Sequence, residues 1–167
     1  LLDVIGGFDE SFFAYGDDTD LGLRARFAGA RCLLAPRAVV YHKYSETSGT
    51  YSEFKVYHVE RNRVWVLLKI FPLRWILLSP FYTRVRMGHH AAAACRGRGA
   101  SGKFVERGSA FALARTVLRA WRDALAGVPA GLRERRRIRS LCRVSPARFA
   151  EWMRRYRLTA REVAWKE

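Results

Sequence analysis

Asp17, Asp18 and Asp20 place three carboxylates within four positions, at the point where the residue pattern turns helical. The first N–H groups of a helix lack intrahelical acceptors and favour negative charge, so acids are at home there. One of these acids facing a cleft could take a proton as a general base, while another positions it or balances a bound cation. A set of ordinary first-turn acids is the plainer alternative. Asp20 and Arg24 stand four residues apart, the spacing of an ion pair along one helix face.

His42, closing the run AVVYH, could ligate a divalent ion or touch diphosphate oxygens, or simply be a polar residue at a strand end. Further on, Tyr57, His58, Arg61, Asn62 and Arg63 form a second cluster. Arg61 or Arg63 could clamp a diphosphate, because a guanidinium fork matches phosphate oxygens two at a time. Arg61 is the better placed, since it shares a helix face with Tyr57 and Trp65. A solvated helix face is the competing reading.

Several elements must position these groups. Gly6, Gly7 and Gly16 bracket Phe8, Phe12, Phe13 and Tyr15, which predicts a loop packed by its own aromatics. A helix is expected from Asp18 to Ala28, with Gly29 as its stop, followed by short strands at Cys32–Leu34 and Ala38–Tyr41. Phe54, Tyr57, Arg61, Val64, Trp65 and Leu68 recur at helical steps and predict a helix ended before Pro72. The apolar stretch after it is broken by Lys69, Pro72, Arg74 and Pro80, which suits an interfacial or re-entrant segment better than a spanning helix. Ala110 to Ala126 reads as a helix with an apolar stripe of Phe111, Ala114, Leu118, Trp121 and Leu125. Residues 127–132 read as a turn. Ser145 with Pro146, and Thr159 with Glu162, are helix-start signals.

The formal charge of +16 is unevenly placed: residues 1–60 carry 6 Lys/Arg against 9 Asp/Glu, net −3, and residues 61–167 carry 25 against 6, net +19. The basic part will seek an anionic surface, whether nucleic acid, acidic lipid or a phosphate-bearing substrate. With 50% hydrophobic residues the chain is too apolar to be disordered. Three scattered cysteines offer neither a disulfide framework nor a zinc knuckle, which makes a reducing compartment the default. The start, LLDVIGGFDE, lacks the basic and apolar regions of a signal peptide and reads as a chain cut in mid-domain.

The string GGFDESFFAYGDDTDLGLRARFAG, with APRAVVYH and YHVERNRVW after it, resembles the family 2 glycosyltransferases of the GT-A fold, especially the rhamnosyltransferase-like members of bacterial cell-envelope synthesis. The resemblance is strongest over residues 3–72 and implies an α/β fold, here the carboxyl-terminal part of a nucleotide-sugar transferase domain followed by amphipathic and basic helices. It implies a division into residues 1–53 as the remnant of the catalytic domain, 54–83 as a helix with a membrane-interfacial apolar segment, and 84–167 as a basic helical tail. Asp18 is then the base that deprotonates the acceptor, and Asp17 stands where many members have Glu. Tyr15, Arg61 and Arg63 contact substrate, His42 helps hold a metal–diphosphate unit, and Asp20 with Arg24 is a structural pair. A divalent metal, Mn²⁺ or Mg²⁺, is implied as cofactor, most of its ligands coming from an upstream half that carries a D-x-D-like site and has no counterpart in this sequence. Also implied are a nucleotide-sugar donor, a lipid-linked or polysaccharide acceptor, inversion at the transferred sugar, and a peripheral or interfacial place on the cytoplasmic face of the bacterial inner membrane. This piece alone would not turn over.

The competing expectation is a non-enzymatic module whose basic helices bind an anionic membrane or nucleic acid. Charge alone supports nucleic acid, since the chain has no zinc-finger spacing, no aromatic RNA-binding strand and no clear heptad. The Arg133–Arg137 run and the arginines between Arg84 and Arg98 are better matched to anionic headgroups beside an apolar segment.

Overall fold

The computed structural model describes residues 1–41 and 52–165. In chain order these form α1 (Leu2–Ile5), a 3₁₀ turn (Glu10–Phe12), α2 (Asp17–Phe27), α3 (Glu53–Ile70), α4 (Leu73–Cys95), α5 (Gly99–Arg107), α6 (Ala110–Ala126), α7 (Val128–Ser140), α8 (Pro146–Arg155) and α9 (Ala160–Trp165). The boundaries follow local chemistry. Ser52, Ser109 and Ser145 each accept a hydrogen bond from the N–H three residues on, at 3.2, 3.0 and 3.2 Å, and so cap α3, α6 and α8. Thr159 and Glu162 exchange reciprocal bonds at the start of α9.

Helix α3 is the axis of the fold: α2, α6 and α7 pack on it, while α4, α5 and α9 form a second group joined to it through Pro72. The main core comprises Phe12, Phe27, Val66, Ile70, Ile138 and Phe149, with Phe149 stacked on Phe27 at 5.7 Å and meeting Phe71 edge-on at 5.3 Å. Burying each such side chain contributes about 1.5–3 kcal/mol, which is why five separate segments converge there. Pro80 lies inside α4 and has no N–H to offer the Ile76 carbonyl; the Ser79 hydroxyl donates to that carbonyl instead, at 2.8 Å.

The α/β expectation is corrected here. Among the described residues there is no strand, so the chain forms a helical bundle, which a GT-A fold built on a nucleotide-binding sheet cannot be. At Cys32–Leu34 and Ala38–Tyr41, the expected strands, the chain is irregular and exposed, with Leu34 at 88% and Val40 at 84%. A strand exists only through its ladder, and a short apolar run does not supply a partner. The apolar stripe read into α6 is also misplaced: Thr116, Ala120 and Ala124 are buried against α3, and Phe111, Leu118 and Leu125 face outward. Small side chains let two helix axes approach closely, and that gain outweighs burial of the larger residues on the other face. Residues 128–132, read as part of a turn, begin α7, because proline is tolerated in a first helical turn.

Candidate functional site

The acidic loop is held by α3. Phe13 and Tyr15 have φ of 60° and 63°, a region that non-glycine residues rarely occupy. The Asn62 carboxamide holds them there, donating to the carbonyls of Phe12, Ala14 and Tyr15 at 3.0, 2.8 and 2.8 Å. Arg61 donates from Nε to Asn62 Oδ1 at 2.9 Å and from its terminal nitrogen to the carbonyls of Ser11 and Phe12 at 3.1 and 2.9 Å, while its plane lies over Trp65 at 4.3 Å. Arg61 is therefore a strut for the loop, and Asn62 is its main clamp. Adjacent Arg-Asn in a helical pattern was the available signal for that clamp, but nothing in the spacing says that an amide will collect three carbonyls.

Asp20 and Arg24 lie deep behind the loop. Arg24 Nε donates to Asp20 Oδ2 at 2.7 Å, and its terminal nitrogens donate to the carbonyls of Ile5, Gly6 and Gly7 at 2.7, 3.1 and 2.7 Å. Lys69 of α3 contacts Asp20 Oδ1 at 2.7 Å and Asp9 at 2.8 Å, closing a four-residue ionic cluster. Burial pushes the Asp9 carboxyl up, but hydrogen bonds from Lys69 and Ser11 outweigh it and hold the group below the usual carboxylate range. Asp17 is half-buried at the first position of α2; Asp18 is exposed and accepts from the Thr19 N–H at 2.6 Å. Tyr15 packs against Phe54 at 6.4 Å and lies under the Lys55 ammonium at 5.7 Å. His42 lies outside the described residues.

Arg63 belongs to a different cluster. Glu60 Oε2 accepts from Arg86 of α4 at 2.7 Å, from Arg63 at 3.3 Å and from the Trp121 indole of α6 at 3.2 Å. Burial pushes the Glu60 carboxyl up, yet Arg86, Arg63 and Trp121 together bring it below its ordinary value. His90, whose Nδ1 lies 2.8 Å from Ser101 Oγ, is pushed down by burial and by Arg86.

The absence of a sheet and of a metal-holding cluster among the described residues removes the transferase reading. Among the described residues no group of three or more His, Cys, Asp or Glu could hold a metal ion, so the expected Mn²⁺ or Mg²⁺ has no ligand set. With neither a metal site nor a nucleotide-binding sheet among the described residues, the expected nucleotide-sugar donor, the acceptor and the glycosyltransferase activity are set aside. No family model matches the chain, and no curated protein or solved structure matches it either.

Three surfaces are left to consider. A cleft of about 680 Å³ runs between residues 6–11 and α7, but its ionic groups are largely paired: Lys69 with Asp9, Arg137 with Glu134, and Arg24 with Asp20 behind it. The second surface is the outer face of α4, where Leu73, Leu77, Leu78 and Phe81 are 58–70% exposed, with Arg74 and Arg84 among them. The third is the outer face of α6, where Phe111, Arg115, Leu118, Arg122 and Leu125 recur at steps of four and three, all exposed.

Proposed function

We propose that this chain is a non-enzymatic helical module that docks peripherally on an anionic membrane surface. The observation that carries the reading is the interleaving of arginine with exposed leucine and phenylalanine on α4 and α6. Water penalises such a face, and so does the polar groove of a nucleic acid; the headgroup–acyl boundary rewards both halves of it. Arginine stems lie along apolar surface while their charges reach lipid phosphate, and the net +19 of residues 61–167 supplies the long-range attraction. Among the described residues no helix is long and apolar enough to cross a membrane, so the contact proposed is with the surface. The leaflet that matches is an acidic one, such as the cytoplasmic leaflet of a cell membrane.

Co-sedimentation with vesicles tests this. The chain is expected to bind phosphatidylcholine vesicles containing phosphatidylglycerol at least about tenfold more tightly than pure phosphatidylcholine, with residual binding at high salt from apolar insertion. Tight binding to duplex or single-stranded DNA with a steep salt slope, and no preference for anionic vesicles, would replace the membrane reading with a nucleic-acid one.

A further inference from the structure

Glu60, Arg63 and Arg86 do not balance. Among the described residues one carboxylate oxygen, Glu60 Oε2, faces both guanidinium groups, which leaves one positive charge without a counter-ion at the junction of α3, α4 and α6. The Arg86 side chain is only 8% exposed, and its Nε makes no hydrogen bond; Arg63 Nε is likewise buried and without a partner. The other groups around them do not supply the missing charge: His90 Nε2 is 3.5 Å from Arg86, the Trp121 indole is a donor, and Tyr82 of the α4 face lies within electrostatic range of Arg63. An uncompensated guanidinium in such surroundings is costly, and proteins tolerate the arrangement where an anion completes it.

We propose that Arg63, backed by Arg86, is a phosphate-receiving site that takes the headgroup phosphate of a lipid. Arg63 is the open side of the pair, with 30% of its side chain exposed, whereas Arg86 is sealed behind it. A guanidinium matches two phosphate oxygens at once, and the fixed charge of Arg86 raises the preference for a doubly charged phosphomonoester over a phosphodiester. The site deepens the membrane reading and rests on it for the source of the phosphate. Tyr82, within electrostatic range of Arg63, is exposed on α4 next to Phe81, so an acyl chain laid on that helix would start beside the headgroup.

Two measurements separate the site from the membrane. In the first, the full chain is melted in inorganic phosphate and in chloride at equal ionic strength. Phosphate should raise the melting temperature, and Arg63→Gln should abolish the rise while Arg154→Gln, an exposed arginine on α8, keeps it. In the second, vesicles carrying phosphatidic acid are compared with vesicles carrying phosphatidylserine at matched surface charge. A preference for phosphatidic acid of about fivefold or more is expected, lost in Arg63→Gln, reduced in Arg63→Lys and kept in Arg154→Gln. A phosphate-specific rise in melting temperature without a lipid preference would make free phosphate the ligand and overturn the lipid assignment. The same rise with no binding to any vesicle would defeat the membrane reading and leave the site standing. Equal losses for Arg63→Gln and Arg154→Gln in both measurements would reduce Arg63 to one more surface charge and end the proposal. Arg86 keeps Glu60 paired in the Arg63 variants, so the bundle should fold; a circular-dichroism melt checks this.

Discussion

The Asn62 carboxamide nitrogen lies 2.8 Å from the main-chain oxygen of Tyr15, a residue held at φ 63°. With the bonds to Phe12 and Ala14, this one amide fixes the backbone that leads into α2. Asn62→Ala takes that donor from the Ala14 and Tyr15 carbonyls, while Phe12 keeps Arg61, in a site that is almost fully buried, and about 2–4 kcal/mol of stability should go with it. Asn62→Asp should be at least as damaging, because its carboxylate would face the same carbonyls. Urea denaturation gives the size of the loss, and hydrogen exchange at residues 16–20 should quicken in both variants before global unfolding does.

The ionisable groups predict a two-limbed acid profile. His90 is pushed below its ordinary value of 6.5, so the unfolded chain takes up its proton first; its contribution is complete above pH 6.5 and is lost as pH falls through the lower folded value. Glu60 and Asp9 are held below 4.5 and 3.8, and their contributions, complete above those values, disappear only in stronger acid. Melting temperature should therefore begin to fall below pH 6.5 and fall again below about pH 4.5. His90→Gln should weaken the upper limb and leave the lower, with His58, also pushed down by burial, accounting for part of the remainder. A flat profile between pH 7 and 5 would contradict this assignment.

Gly127 is at an ordinary φ of −80°, so its need is spatial and not conformational. A Cβ there would lie 2.5 Å from Trp65 Nε1 and 2.7 Å from the ring carbon next to it, against a side chain that also donates to the Ala124 carbonyl at 3.2 Å and carries Arg61 on its face. Gly127→Ala should displace the indole and destabilise the fold by about 1–3 kcal/mol, despite alanine being the better helix residue. Trp65→Phe is expected to relieve the clash in part, so the double variant should lose less than the two single losses added. Thermal melts of the four proteins settle the point.

What could be read from the sequence followed the range of the forces involved. Caps at Ser145 and Thr159 and the span of α6 depend on neighbours three or four residues away, and their residue types announce them. The fold class did not follow, because Cys32–Leu34 and Ala38–Tyr41 are short apolar runs of strand length while a ladder depends on a partner far along the chain. The exposed side of α6 was hidden for a related reason: its hydrophobic stripe is real, but α3 selects the face of small residues. At the site, the Asp20–Arg24 contact is local and visible in the spacing, whereas Lys69, which bridges Asp9 and Asp20 from 60 and 49 residues away, gave no local sign.

Phe81 and Leu118 give the most direct test of the docking surface, because they are 69% and 62% exposed and little in the bundle depends on them. Replacing either with Glu removes apolar area and reverses the local charge, while substitutions at such positions typically shift stability by no more than about 0.5 kcal/mol. Binding to anionic vesicles should weaken about tenfold for each if both helices enter the interface, since a Leu- or Phe-sized side chain in the acyl boundary contributes roughly 1.5–3 kcal/mol. The double variant Phe81→Glu with Leu118→Glu then discriminates between one contact face and two. Losses that add mean α4 and α6 meet the same membrane together; a double variant no worse than the stronger single means that one helix docks and the other faces elsewhere. Unchanged vesicle binding in all three, with unchanged melting temperatures, would remove both helix faces from the binding surface and leave the attraction to the arginines alone.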